Sequence, residues 1–568
     1  MKKITVQTLF LSIFILSCSD SNDASKTTIE WLYSDEGKSV GAIYKTKWVN
    51  DQTLYLMDMR LPKEDRSILK LDPESPEKMN PLFDKQRLVD NLMSIVNRDD
   101  TTMYLDWPIS FNSDGSYGLY LYEDDIFVLD ITAAEFLRIT NTDSKEKSVR
   151  FSPDGKKIAF IRDNDLFTYS LNTKQEKRLT YNGSETLLNG TLSWVYWEEI
   201  FGRQDIGYWW SDDSKALAFL QTDESSVTKM HYVHWKPAEP KLITQRYPKA
   251  GTENPKVRLG VIELNNPKVK WIKLEPFEYL CRVKWLPGNR RLSIQTMNRA
   301  QDKLDLYFVD RATGKNIEKI ITETDDGWVN INDDLYFLKN SFIWQSERDG
   351  YAHLYQFSYN GKLVNQITSG DWALRSSGGP FWLRQSVVNI DEEKGEIYFT
   401  SLKESSIERH LYRSSIDGNN MEKISDQKGV HKINFSNDGN FYLDIHSDAS
   451  SPPTLVLYKN DGEKIHTLVD DRPELISEYD LQTPELFTIP TKDNFLMPAQ
   501  ILKPKNFNKT KKYPIIFHVY GGPSAPTVFD RWQGHSLFYD NMLLEMGYLI
   551  VKFDHRASTA KSKKLENH

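Results

Sequence analysis

Only two cysteines, Cys18 and Cys281, occur in 568 residues. Cys18 has a separate use, described below, so no internal disulfide is available even in an oxidising compartment. Basic blocks are also missing, and the net charge of −8 argues against nucleic acid as a partner. No hydrophobic stretch is long enough to form a transmembrane helix. There is no His-Glu-x-x-His, and the histidines are scattered. His231 and His234 sit in a strand-like run, where side chains three apart point to opposite faces. Neither a metal site nor a cofactor is expected.

Aromatic residues are plentiful, at 12% with 15 Trp and 28 Tyr. Such residues favour strands, which points to a large β protein. The length calls for two or more domains.

The first 18 residues read as a leader. Lys2 and Lys3 precede an apolar run from Val6 to Leu16, and Ile15-Leu16-Ser17-Cys18 closes it in the manner of a bacterial lipoprotein cleavage box. Cys18 is then the lipidated first residue, which gives an exported protein anchored to a membrane. Residues 19–39 are expected to be a tether.

Internal repeats decide the architecture. Ser110-Phe-Asn-Ser-Asp-Gly115 is followed by Tyr117–Tyr122, Asp125–Asp130 and Leu137-Arg-Ile-Thr140. Arg150-Phe-Ser-Pro-Asp-Gly155 is followed by Lys157–Ile161, Asp165–Ser170 and Arg178-Leu-Thr180. Phe111 and Phe151 are 40 residues apart. Asp-Gly makes a tight turn and the alternating runs make strands. Weaker copies reach Phe435-Ser-Asn-Asp-Gly439 and Thr454–Tyr458. This spacing fits propeller blades, seven or eight of them over residues 40–478.

From about residue 479 the pattern changes. Pro484–Ile489 and Phe495–Leu502 read as a hairpin, Tyr513–Tyr520 as a buried strand ended by Gly521-Gly522-Pro523, Phe529–Met546 as a helix and Tyr548–Asp554 as a second buried strand. Strand–helix–strand order signals an α/β domain with apolar strands covered on both faces. The sequence stops at His568, so this domain reads as unfinished.

The longest departure from the repeat runs from Asn189 to Arg203. It sets Glu198 and Glu199 side by side among Trp194, Tyr196, Trp197 and Phe201. Two carboxylates in such company need a cation or hydrogen-bond donors. A substrate ammonium and Arg203 are both candidates.

Trp-Val-Tyr with Glu-Glu inside a propeller, ahead of Val519-Tyr-Gly-Gly-Pro523, resembles the dipeptidyl peptidase IV family of the prolyl oligopeptidase clan. Trp344–Tyr355 and Ser447–Pro453 extend the likeness over nearly the whole mature chain. The resemblance implies a mainly β chain, with an N-terminal β-propeller of about eight blades followed by an incomplete α/β-hydrolase domain. It implies a serine exopeptidase that removes dipeptides, or in one branch tripeptides, from peptide N-termini after proline or alanine. Glu198 and Glu199 match the pair that holds the free amine, and Tyr520 matches the oxyanion-stabilising tyrosine. Relatives often dimerise through the hydrolase domain, so a homodimer of the full-length form is an allowed assembly.

The departures are as informative. Ser193 and Trp197 stand where acids usually flank the pair. Asn330-Ile-Asn332 stands where some members have a substrate-binding Arg, and Ala557 where many have Gly. No Gly-x-Ser-x-Gly elbow is present, so the triad that such an elbow opens is missing. A catalytically inactive propeller lipoprotein that captures peptide N-termini is the alternative reading.

Overall fold

The repeated residues are clasps. In the computed structural model, which describes residues 27–97, 104–315, 317–331, 333–377 and 385–568, Ser152 Oγ donates to Asp154 Oδ1 at 2.6 Å. Gly155 then turns the chain at φ +67°, a region that favours glycine. Ser436, Asp438 and Gly439 repeat the arrangement. The Arg-x-Thr ending works back on the third strand. Thr180 Oγ1 accepts from Leu166 N and donates to Asp165, while Arg178 pairs with the same carboxylate. In later blades His353 with Thr368 and His410 with Ser425 take these places.

Among the described residues eight antiparallel sheets of four or five strands result. They occupy residues 44–81, 110–138, 147–178, 187–271, 279–324, 335–366, 387–423 and 430–469, and we number them as blades one to eight. Blade four has five strands, and its excursion carries a separate hairpin, Lys229–His234 with Lys241–Arg246. Neighbouring blades share apolar clusters, as where Ile158 and Phe160 of blade three pack on Leu119 and Val128 of blade two. The ring closes because Trp48, Leu54 and Leu56 of blade one pack on Leu443, Leu455 and Leu457 of blade eight. Trp48 Nε1 seals that joint with a 3.0 Å bond to the Asn434 carbonyl.

Beyond the ring, strands Glu485–Pro490 and Leu496–Leu502 pair antiparallel. Strand Leu549–Phe553 joins the second of these, and Ile515–His518 lies parallel to it at the edge. Helix His535–Glu545 covers one face, with Leu537, Phe538 and Leu544 buried against Leu502 and Ile550.

Two expectations are corrected here. Within the stretch assigned to a tether, Ile29–Tyr33 and Asp35–Ser39 are short helices. Thr28 and Ser34 cap them through bonds from Trp31 N and Gly37 N. Trp31 packs on Phe538 and Tyr479, Leu32 is fully buried, and His535 Nε2 donates to the Leu32 carbonyl at 2.7 Å. Apolar content, not position in the chain, decides that this piece folds. Strand Ile515–His518 is not buried: Phe517 is 58% exposed, because the strand lies at the sheet edge. Cys18 and the leader lie outside the described residues. Among the described residues no helix is long and apolar enough to cross a membrane.

Candidate functional site

The Asn189–Arg203 departure is held against blade five. Tyr196 is buried and its hydroxyl accepts from Leu280 N at 3.1 Å. Arg282 Nη1 donates to the Ile200 carbonyl at 2.7 Å, while its Nε holds Asp333 at 2.5 Å. The same guanidinium lies over Phe201. These anchors fix a single π-helical turn, Tyr196–Ile200, closed by Phe201 N to the Tyr196 carbonyl. Such turns are rare and often mark functional sites.

Gly202 and Arg203 follow in the left-handed region, at φ +60° and +65°. For arginine this conformation is strained. It swings the side chain back, so that Nη2 lies 2.7 Å and Nε 3.0 Å from Glu198 Oε1, with Nε 3.1 Å from Oε2. The guanidinium holds Glu198 below the usual carboxylate range. Glu199 is exposed beside it. Arg203 therefore meets one of the two carboxylates, and the candidate cations of the sequence reading are not exclusive.

Tyr520 arrives from the other side. It follows the edge strand and is 65% exposed. Gly521 turns at φ +82°. A Cβ on Gly522 would sit 2.5 Å from Tyr520 Cε1, so glycine is required for the ring to lie there. The loop is pinned from residues 554–557. Asp554 accepts from Thr527 N, Thr527 Oγ1 and Val528 N at 2.8–2.9 Å. Ser524 N donates to the Ala557 carbonyl, and His555 Nε2 to that of Gly521. Burial raises the Asp554 pKa in spite of those bonds. The Tyr520 phenol lies within Coulomb reach of Arg203. Glu198 is bonded to Arg203 and Tyr520 lies within electrostatic range of the same guanidinium, although more than three hundred residues separate Tyr520 from the acidic pair.

At Asn330 the structure shows what the sequence could not. Its Nδ2 donates to both Glu347 and Glu566 at 2.7 Å, and Lys563 pairs with Glu566 while lying 4.2 Å from the Trp328 ring centroid. No spacing rule links partners 236 residues apart. His231 Nδ1 engages Thr244 Oγ1, and among the described residues no group of three or more metal-ligating side chains is present.

Comparison with known proteins bears on this geometry. The family model described as the dipeptidyl peptidase IV (DPP IV) N-terminal region matches residues 111–453. The chain belongs to this family. Among relatives, the probable dipeptidyl-aminopeptidase B of Emericella nidulans is 29% identical over 470 residues, covering 76% of this chain and 50% of that protein. Dipeptidyl peptidase 4 of Trichophyton tonsurans is 28% identical over 473 residues, covering 78% and 59%. The chain thus spans between half and three fifths of the length of these DPP IV relatives. The crystal structure of Porphyromonas gingivalis dipeptidyl peptidase 4 superposes with a TM-score of 0.79 at 24% identity, covering 94% of this chain and 74% of that one. That likeness carries the DPP IV fold.

Proposed function

We propose that this chain is the substrate-selecting part of a serine exopeptidase that releases dipeptides from free peptide N-termini, tripeptide release being the variant outcome. The π-helical turn that sets Glu198, held by Arg203, beside the exposed Glu199 carries the reading. Carboxylates accept an α-ammonium through charge-assisted hydrogen bonds. The Tyr520 hydroxyl is a donor suited to the oxyanion of a tetrahedral intermediate. The reaction is acyl transfer through a serine ester, in which a general base removes the serine proton and returns it to the leaving amine. No Gly-x-Ser-x-Gly occurs in these 568 residues, so the nucleophile is supplied from outside this sequence. The substrates are peptides or protein N-termini.

The test is titration calorimetry of the 568-residue chain with Ala-Pro peptides, free or acetylated. A free amine should bind at least about tenfold more tightly. Equal affinities would remove the basis for an amine clamp.

We also propose export and anchoring through a lipid on Cys18, supported by the short apolar run before it. Cys18→Ala should release the protein from membranes, and unchanged partitioning would point to another anchor. A homodimer is the third part of this proposal, supported by exposed Tyr232, Trp235 and Leu242 on the blade-four excursion. Light scattering on Trp235→Ser should then report a monomer.

A further inference from the structure

Arg409 precedes the third strand of blade seven, His410–Ser415, and is 4% exposed. Its Nη1 donates to the Ser406 and Glu408 carbonyls at 3.2 and 2.7 Å, and its Nε to the Ser376 carbonyl at 3.3 Å. Nη2 bonds to no described residue. Every partner of this guanidinium is thus a neutral carbonyl. The acids around it are turned elsewhere. The Glu408 carboxylate takes His410 Nε2 at 2.7 Å, Glu347 takes Arg375, and Asp530 Oδ1 takes Ala449 N at 2.9 Å.

A second guanidinium faces the same ring. Arg531 lies 4.4 Å from the Phe529 centroid and Arg409 lies 5.3 Å from it. Arg531 is open to solvent, yet its surroundings are crowded enough to lower its pKa by burial, and no anion offsets this. Arg409 is pushed down to about 9, by burial first and then by Arg375 and Arg531. A buried charge without a counter-charge is costly unless a ligand completes it.

We infer that Arg409 and Arg531, both against the Phe529 ring where blade seven meets the α/β unit, form an oxyanion site that takes a carboxylate or a phosphate. The planar forks of two guanidiniums match the paired oxygens of either group. The inference uses none of Glu198, Glu199 and Tyr520, and does not depend on the peptidase reading.

The experiment is thermal unfolding of the 568-residue chain at fixed ionic strength, with chloride replaced by phosphate or by succinate. Phosphate or succinate at about 10 mM should raise Tm by about 2–4 °C over chloride. A larger response to phosphate assigns a phosphate ligand, and a larger response to succinate a peptide-borne carboxylate. Multivalent anions also stabilise proteins without a site, so Arg531→Gln is the control. This exposed substitution should fold normally and lose the extra rise. Arg531→Glu places a carboxylate beside Arg409, so it should raise Tm in chloride and abolish the response. An equal anion response in wild type and Arg531→Gln, or none in wild type, overturns the site.

Discussion

Arg203 folds back across five residues onto Glu198, with Nη2 2.7 Å from Oε1. The site therefore holds one carboxylate already matched by a cation and one, Glu199, exposed beside it. The arginine keeps Glu198 ionised and oriented, and Glu199 adds a second, exposed negative charge beside it.

In the enzyme completed by its nucleophile, Glu199→Gln should lower kcat/KM at least about tenfold. Arg203→Ala should mainly raise KM. It should also move the acid limb of the pH profile upward, because the partner that depresses the Glu198 pKa is lost. Arg203→Lys should restore part of that shift. An unmoved acid limb in Arg203→Ala would mean that Glu198 is not set by this pair.

Gly522→Ala probes Tyr520 without touching its hydroxyl. The added methyl meets the ring at 2.5 Å, so the phenol must turn away. The completed enzyme should lose about tenfold or more in kcat, as Tyr520→Phe should, with little change in Tm. Full activity would show that the hydroxyl is not aimed at the reacting carbonyl.

The 568-residue chain alone should not react with a fluorophosphonate probe. It has no Gly-x-Ser-x-Gly serine, and a hydroxyl in the role proposed for Tyr520 acts only on an attack delivered by another group. Ser524, the serine of the Gly-Pro-Ser-Ala-Pro loop, is buried with its Oγ donating to Glu566. Stoichiometric labelling at any serine contradicts this.

His431 should make stability depend on pH. Its Nε2 faces the Gln427 carbonyl at 2.9 Å and its Nδ1 the Asp444 carboxylate at 2.6 Å. Both partners accept, so both ring nitrogens carry protons. Burial pulls the pKa down, but the Asp444 charge and the two bonds outweigh it and the net shift is upward. A raised folded-state pKa contributes stability that is complete below the unfolded value and lost as pH rises through the folded one. Wild type should exceed His431→Gln by about 1–3 kcal/mol near pH 6 in urea unfolding, with the gap narrowing toward pH 9. A constant gap would place the effect in packing instead.

Deleting residues 27–39 should loosen the α/β unit and not the ring. Trp31 and Leu32 leave Phe538 and Trp532 uncovered, so limited proteolysis after residue 479 should speed up about tenfold. Fragments from blades one to eight should appear no sooner than in wild type.

Much of this was legible in the sequence, for reasons of range. The Asp-Gly turns and Arg-x-Thr endings act within one blade, so a 40-residue period exposes them. Glu198 and Glu199 stood out because acids rarely sit among so many rings. What stayed hidden depends on distant partners. Leu32 lies 503 residues from His535, and Asn330 lies 236 from Glu566. The exposure of Phe517 was missed because apolar alternation reports strand character and not which neighbour covers it. Nothing in the sequence singles out Arg409, since the absence of a counter-charge is a property of space.

The Trp48 bond to Asn434 joins residues 386 apart. During synthesis the first blade leaves the ribosome with one flank bare, and it must wait for nearly the whole ring before its partner exists. Closure is then a late event with a high loop entropy, and blade one is the place where a chaperone would find unsatisfied surface longest.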